Sequence, residues 1–226
     1  MVSLSIIETG RNPTFFPLAS AYLTDNSLSL ADLISTSQTT KARLLHYFPP
    51  SEENPLPSDD EPVDSWCGFH LDHSLYVRIF CQDMIGDSEG ELITASYRIC
   101  SLTGLCSAIY LAHDPDGNGN VVPVKAPSPA SGLYIRTRGG QLTKVAIPPD
   151  CLAFQTGEAL EIATAGRLRA TPHCVRVGAG PGVENVSRET FVLFMQPDAS
   201  QVISEKETFG SFSKKVFSEH YEGTGM

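Results

Sequence analysis

Leu133-Tyr-Ile-Arg136, Leu142-Thr-Lys-Val-Ala-Ile147 and Cys151-Leu-Ala-Phe-Gln155 follow one another at even spacing, separated by Gly139-Gly140 and by Pro148-Pro149-Asp150. Each run is too short for a helix and rich in residues that suit a pleated surface, and each separator is turn chemistry. The same texture extends outward to Leu105–Leu111 on one side and to Leu168–Arg176 and Thr190–Met195 on the other. Short strands at even spacing predict a mostly β fold, a sandwich or barrel. Few short helices are expected, and only near the ends. Leu28, Leu30, Leu33 and Ile34 fall on one side of a turn or two within Asn26–Ile34, and Phe209, Phe212, Phe217 and Tyr221 have loosely helical spacing in the tail.

Lys41–Phe48 reads as a strand stopped by Pro49-Pro50. Residues 49–64 hold five prolines and six acids, which predicts an extended, solvated linker. The chain is expected to divide into an N-terminal region (1–40), a β domain (41–197) and a partly helical tail (198–226). A length of 226 residues suffices for one core without a disulfide or metal to hold it.

The charge balance excludes some functions. Sixteen Lys and Arg against 26 Asp and Glu give a net charge of −10, which repels phosphate backbones and anionic lipid. Nucleic acid and membranes are therefore not expected partners. No apolar run reaches the ~20 residues of a membrane span, and the short apolar stretch Val2–Ile7 has no Lys or Arg before it, unlike a signal peptide. The six cysteines form no C-x-x-C pair, so free thiols in the cytoplasm are expected. A monomer is expected. Asp114-Pro-Asp-Gly-Asn-Gly-Asn120 resembles the start of a calcium loop, but the twelfth position holds Lys125 where a bidentate Glu is needed. It reads as a hairpin turn. His46, His113 and His220 have no evident partners in the sequence.

The chemistry is concentrated elsewhere. Trp66-Cys-Gly-Phe-His70-Leu-Asp72-His73 contains His-x-Asp, and on a strand residues i and i+2 share a face about 7 Å apart. An imidazole and a carboxylate can then converge on one ion. A third ligand is offered by His173, on a second predicted strand. Two histidines and one carboxylate leave three positions open on iron. Taken singly, either histidine reads better as a hydrogen-bonded core residue than as a ligand. Downstream of His173, Arg188 opens the segment Arg188-Glu-Thr190-Phe191. There a guanidinium could grip a carboxylate, with the Thr190 hydroxyl adding a bond.

The order His-x-Asp, His, Arg-x-Thr resembles the 2-oxoglutarate/Fe(II)-dependent dioxygenase superfamily, and more closely its isopenicillin-N-synthase-like branch. Three further segments are similar to that branch: Arg43-Leu-Leu-His-Tyr-Phe-Pro-Pro50, Ser101-Leu-Thr-Gly-Leu105, and Gly157-Glu-Ala-Leu-Glu-Ile162 with Gly166-Arg-Leu-Arg-Ala-Thr-Pro-His173. The resemblance implies a double-stranded β-helix, or jelly-roll. It implies Fe(II) on His70, Asp72 and His173, and the distal carboxylate of 2-oxoglutarate on Arg188 and Thr190. The implied reaction couples oxidative decarboxylation of 2-oxoglutarate to oxidation of a small organic substrate by O2. A non-catalytic jelly-roll remnant that binds a metal or ligand is the alternative. A cupin-like metalloprotein without 2-oxoglutarate is opposed by Arg188-x-Thr190.

Departures from the branch set further expectations. His46 and Phe48 replace the Asn and Tyr of its N-x-Y element, and Tyr47 is expected on the opposite face, away from the co-substrate. The Gly-Pro loop at 178–185 stretches the His173-to-Arg188 gap. His70 comes early in the chain for that branch, which implies a shortened N-terminal region. Ser74–Cys100 stands where one glycine is expected. It reads as a lid, a retained intron in frame or a gene-model error, and the last two are preferred. It is expected to lie outside the barrel as a poorly packed excursion.

Overall fold

The computed structural model describes residues 7–8, 23, 29–50, 66–74, 76–80, 108–114, 119–147, 152–178 and 182–221. In chain order the elements are β1 (Ile7–Glu8), α1 (Leu30–Ser35), β2 (Lys41–Tyr47), β3 (Cys67–His70), β4 (Tyr76–Phe80), β5 (Ile109–His113), β6 (Val121–Val124), β7 (Gly132–Arg136) and β8 (Leu142–Lys144). They continue with β9 (Leu152–Thr156), α2 (Glu158–Ala163), β10 (His173–Arg176), β11 (Val186–Met195), β12 (Val202–Ser204), β13 (Glu207–Thr208) and α3 (Phe209–Tyr221).

Two antiparallel sheets face each other, as the strand spacing predicts. The smaller has the order β3-β10-β7-β8, and the larger is built on β11. Leu133, Ala153, Val175 and Val192 form the apolar layer between them, joined by Leu45, Tyr47 and Phe194. A second cluster caps one end, where Leu30, Ala159, Leu160, Leu168, Met195, Ile203, Phe209 and Phe212 pack together. The helices thus close the end of the sandwich. α1 starts with a reciprocal capping box between Ser29 and Asp32, which satisfies donors that so short a helix would otherwise leave to water.

β11 (VSRETFVLFM) carries most of the architecture. β2 pairs along one edge, from Arg188 opposite Tyr47 to Phe194 opposite Lys41. β4 and β5 share the other edge, end to end and in the same direction: Tyr76–Phe80 lies opposite Met195–Phe191, and Ile109–Ala112 opposite Glu189–Val186. This corrects the expected bounds of the excursion. Ser74 is 1% exposed, and Tyr76–Phe80 pairs with both β9 and β11. Residues 74 and 76–80 belong to the fold, and residues 81–107 lie outside the described residues. Phe80 pairs with Phe191 and Ile109 with Glu189, so Thr190 alone separates the two pairs on β11. A single residue between Phe80 and Ile109 would complete the ladder. Ala108 can fill that place, and residues 81–107 are surplus to it.

Several boundaries differ from expectation. β10 begins only at His173, because Leu168–Pro172 leads out of α2 and ends in a proline. β5 begins at Ile109, later than the apolar run from Leu105 suggested. α2 is short and begins at the glycine turn, with Gly157 as its N-cap. The expected hairpin at Asp114 is present: β5 pairs with β6, and the Asp114 amide donates to the Asn120 carbonyl at 3.1 Å.

Gly157 is required by a close approach. A Cβ there would stand 2.0 Å from the Ser74 carbonyl oxygen and 2.7 Å from that of Asp72. Both obstacles are backbone, so neither can swing aside. Gly157→Ala is expected to cost at least about 2 kcal/mol of stability, read as a lowered urea midpoint with unchanged slope. An unchanged midpoint would show that this turn yields freely.

Candidate active site

The register of the small sheet brings the first two ligand candidates together. His173 of β10 lies directly opposite His70 of β3, and their ring centroids are 4.1 Å apart. β3 ends at His70, so Asp72 sits in the loop beyond the strand rather than on it. α2 holds that loop, since the Glu158 amide donates to the Asp72 carbonyl at 2.7 Å. Asp72 Oδ2 then lies 3.5 Å from His173 Nε2, and Oδ1 lies 3.8 Å from His70 Nε2. One donor atom from each residue falls within 4.8 Å of the others. Two imidazoles and one carboxylate suit a divalent first-row metal.

The local electrostatics differ between the two histidines. The Cys67 thiol, 3.6 Å from His70 Nδ1, and the Gly68 carbonyl at 2.7 Å push His70 up to about 9. Burial pushes His173 down and keeps it neutral. Cys67 thus contacts a ligand candidate directly. Phe69 lies under the Arg136 guanidinium at 4.8 Å, and His73 stacks on Phe209 with ring centroids 6.4 Å apart. These two neighbours of the motif serve packing.

One cleft collects all five residues expected from the sequence. His70, Asp72, His173, Arg188 and Thr190 line it together, with Tyr47, Gln155, Leu133, Val175, Val192 and Phe194. It encloses about 410 Å3 including its open mouth. Arg188 is 4% exposed, and its Nε and Nη1 have no hydrogen-bond partner; neither has the buried Thr190 hydroxyl. A buried guanidinium with two nitrogens left unmet is costly unless an acceptor joins it. These donors fit a carboxylate.

Tyr47 corrects the sequence reading. It lines the cleft, with the Arg188 guanidinium 5.1 Å above its ring, and burial pushes its phenol up. Its β2 register opposite Arg188 places it inside. His46 faces out instead and meets Glu189 at 2.7 Å, while His113 bonds the Ser187 hydroxyl at 2.8 Å. Both histidines therefore have partners that sequence spacing concealed. Gln155 was also missed. The only local signal was a polar residue sharing a strand face with Ala153.

No family model matches the sequence, and no curated protein matches it. Solved structures do match in fold. A candidate oxygenase from Shewanella oneidensis superposes with a TM-score of 0.53 at 20% identity, covering 90% of this chain and 55% of that one. A candidate 2-oxoglutarate/Fe(II) oxygenase family protein from Caulobacter crescentus gives 0.46 at 20% identity, covering 80% and 46%. The dioxygenase for auxin oxidation in rice gives 0.46 at 12% identity, covering 80% and 47%. The chain spans about half the length of these proteins. The fold is a double-stranded β-helix, mostly β with few helices, as in the Shewanella oneidensis structure.

Proposed function

We propose that this chain is an Fe(II)- and 2-oxoglutarate-dependent oxygenase acting on a small organic substrate. The observation that carries the reading is the pairing of two unmet demands in one cleft: three metal donors at one end, and buried, unpartnered Arg188 and Thr190 donors on its wall. His70, Asp72 and His173 would hold the metal, which when bound supplies the coupling of O2 activation to decarboxylation of 2-oxoglutarate. Arg188 and Thr190 bind and orient the distal carboxylate. The Tyr47 ring supports the guanidinium by a cation–π contact. Leu133, Val175, Val192 and Phe194 keep the wall apolar, which strengthens the charge-assisted bonds made there. The placement of the motifs along the chain supports assignment to the isopenicillin-N-synthase-like branch.

The test is succinate formation from 2-oxoglutarate in the presence of Fe(II) and O2, with Co(II) and 2-oxoglutarate titrated separately by calorimetry. The parent is expected to bind both and to release succinate. His173→Ala is expected to bind no Co(II) and to form no succinate above the metal-free background. A parent that binds neither metal nor 2-oxoglutarate would defeat the reading.

A further inference from the structure

Gln155 stands between two of the ligand candidates and is not itself one of the three. It lies on β9, is 4% exposed, and lines the same cleft. Its Nε2 is 2.7 Å from Asp72 Oδ2, and 2.8 and 3.2 Å from His173 Nδ1 and Nε2. His173 Nδ1 is also 3.1 Å from the Thr171 carbonyl. Asp72 Oδ2 accepts from the Gln155 amide in either tautomer of His173, so that bond does not depend on which ring nitrogen carries the proton. One amide hydrogen of Gln155 reaches Asp72 Oδ2, and the other faces the edge of the His173 ring.

We infer that Gln155 is a positioning residue of the metal centre. Its amide keeps Asp72 Oδ2 engaged and leaves Oδ1, on the His70 side, for the ion. Asp72 then contributes one oxygen rather than two, and the positions needed by a chelating co-substrate stay open. Without metal, Gln155 holds the Asp72 carboxylate beside the His173 ring. A buried carboxylate whose outer oxygen lost that donor would turn, or take up the ion through both oxygens. The inference rests on the metal-centre reading above and adds a residue to it.

The experiment titrates metal-free protein with Co(II), read by calorimetry and by the visible Co(II) absorption. Gln155→Leu, of similar size but unable to donate, is expected to bind Co(II) roughly 10–100-fold more weakly. Its Co(II) spectrum should change shape while far-ultraviolet circular dichroism stays parental. Gln155→Glu puts an acceptor against Asp72 Oδ2 and should also alter the spectrum, with affinity kept by the added carboxylate. It provides a second reading should the leucine variant not fold. Parental affinity and spectrum in Gln155→Leu, or a parental spectrum in Gln155→Glu, overturns the inference while leaving the metal centre intact. A parent that binds no Co(II) overturns the metal centre and this inference with it.

Discussion

Arg188→Met is expected to weaken 2-oxoglutarate binding by at least about 30-fold and, in the same variant, to raise the melting temperature of the ligand-free protein. The two effects have one cause. Arg188 is buried with two guanidinium nitrogens unpartnered, so the ligand-free fold holds a charge most of whose donors are unmet. Methionine keeps an unbranched stem against the Tyr47 ring and removes that charge. Replacing buried ionic groups by apolar ones of similar volume often stabilises by about 1–4 kcal/mol, and the lower half of that range is expected here. Binding moves the opposite way. Removing one partner of a desolvated charge pair costs about 2–5 kcal/mol, or roughly 30- to 5,000-fold in affinity. Arg188→Lys should retain the charge yet bind weakly, because an ammonium cannot reproduce the planar fork. Calorimetric titration with 2-oxoglutarate and a thermal melt read both halves. Parental affinity in both variants would remove Arg188 from the co-substrate site, and a lowered melting temperature in Arg188→Met would show that its guanidinium is satisfied in the free protein.

What the sequence disclosed was determined by the range over which each feature is encoded. Strand spacing is a local property, so β7, β8 and β9 could be read from Leu133–Gln155 and the mostly β fold followed. The candidates His70, Asp72, His173, Arg188 and Thr190 could be named because His-x-Asp and Arg-x-Thr are short patterns whose order along the chain resembles one oxygenase superfamily; that they line one cleft became visible only in the fold. Tyr47 was misplaced because its face depends on pairing with Arg188, which lies near the far end of the chain. Within β2 alone, either alternate set of residues could face inward, and a one-residue change of register exchanges them. Gln155 was hidden for a related reason. Its partners, Asp72 and His173, lie in a loop and on another sheet, and no spacing along β9 points to them. The network of His46, Glu189, Ser187 and His113 likewise exists only after β2 and β5 have docked on opposite edges of β11.

Excision of residues 81–107 is expected to leave the fold standing and to stabilise it, whereas excision of 81–108 is expected to damage it. The register of β4 and β5 along β11 requires the difference. Joining Phe80 to Ala108 removes the surplus and sets one residue opposite Thr190, between the Phe80–Phe191 and Ile109–Glu189 pairs. The two short strands then become one continuous partner for β11. Closing a long loop costs only a few kcal/mol of entropy, so a gain of about 2 kcal/mol is expected. Removing Ala108 as well leaves the line one position short. Either β4 or β5 must slip, and such a slip turns every side chain to the other face. Slippage of β5 would carry Tyr110 off the inner face, where its ring lies 6.2 Å from that of Trp66. A loss of at least about 2 kcal/mol is expected. A third arm removes 74–100, a deletion of the same length as 81–107 that keeps the register. It places Thr103-Gly-Leu-Cys-Ser107 where Tyr76-Val-Arg-Ile-Phe80 stands. Glycine and fewer β-branched residues should make that strand weaker than the first. Urea midpoints of the three variants test the series. If excision of 81–107 and excision of 81–108 leave equal stability, β4 and β5 are not two halves of one strand. If excision of 81–107 abolishes succinate formation while the fold persists, the segment serves the site as a lid and is not foreign to the fold.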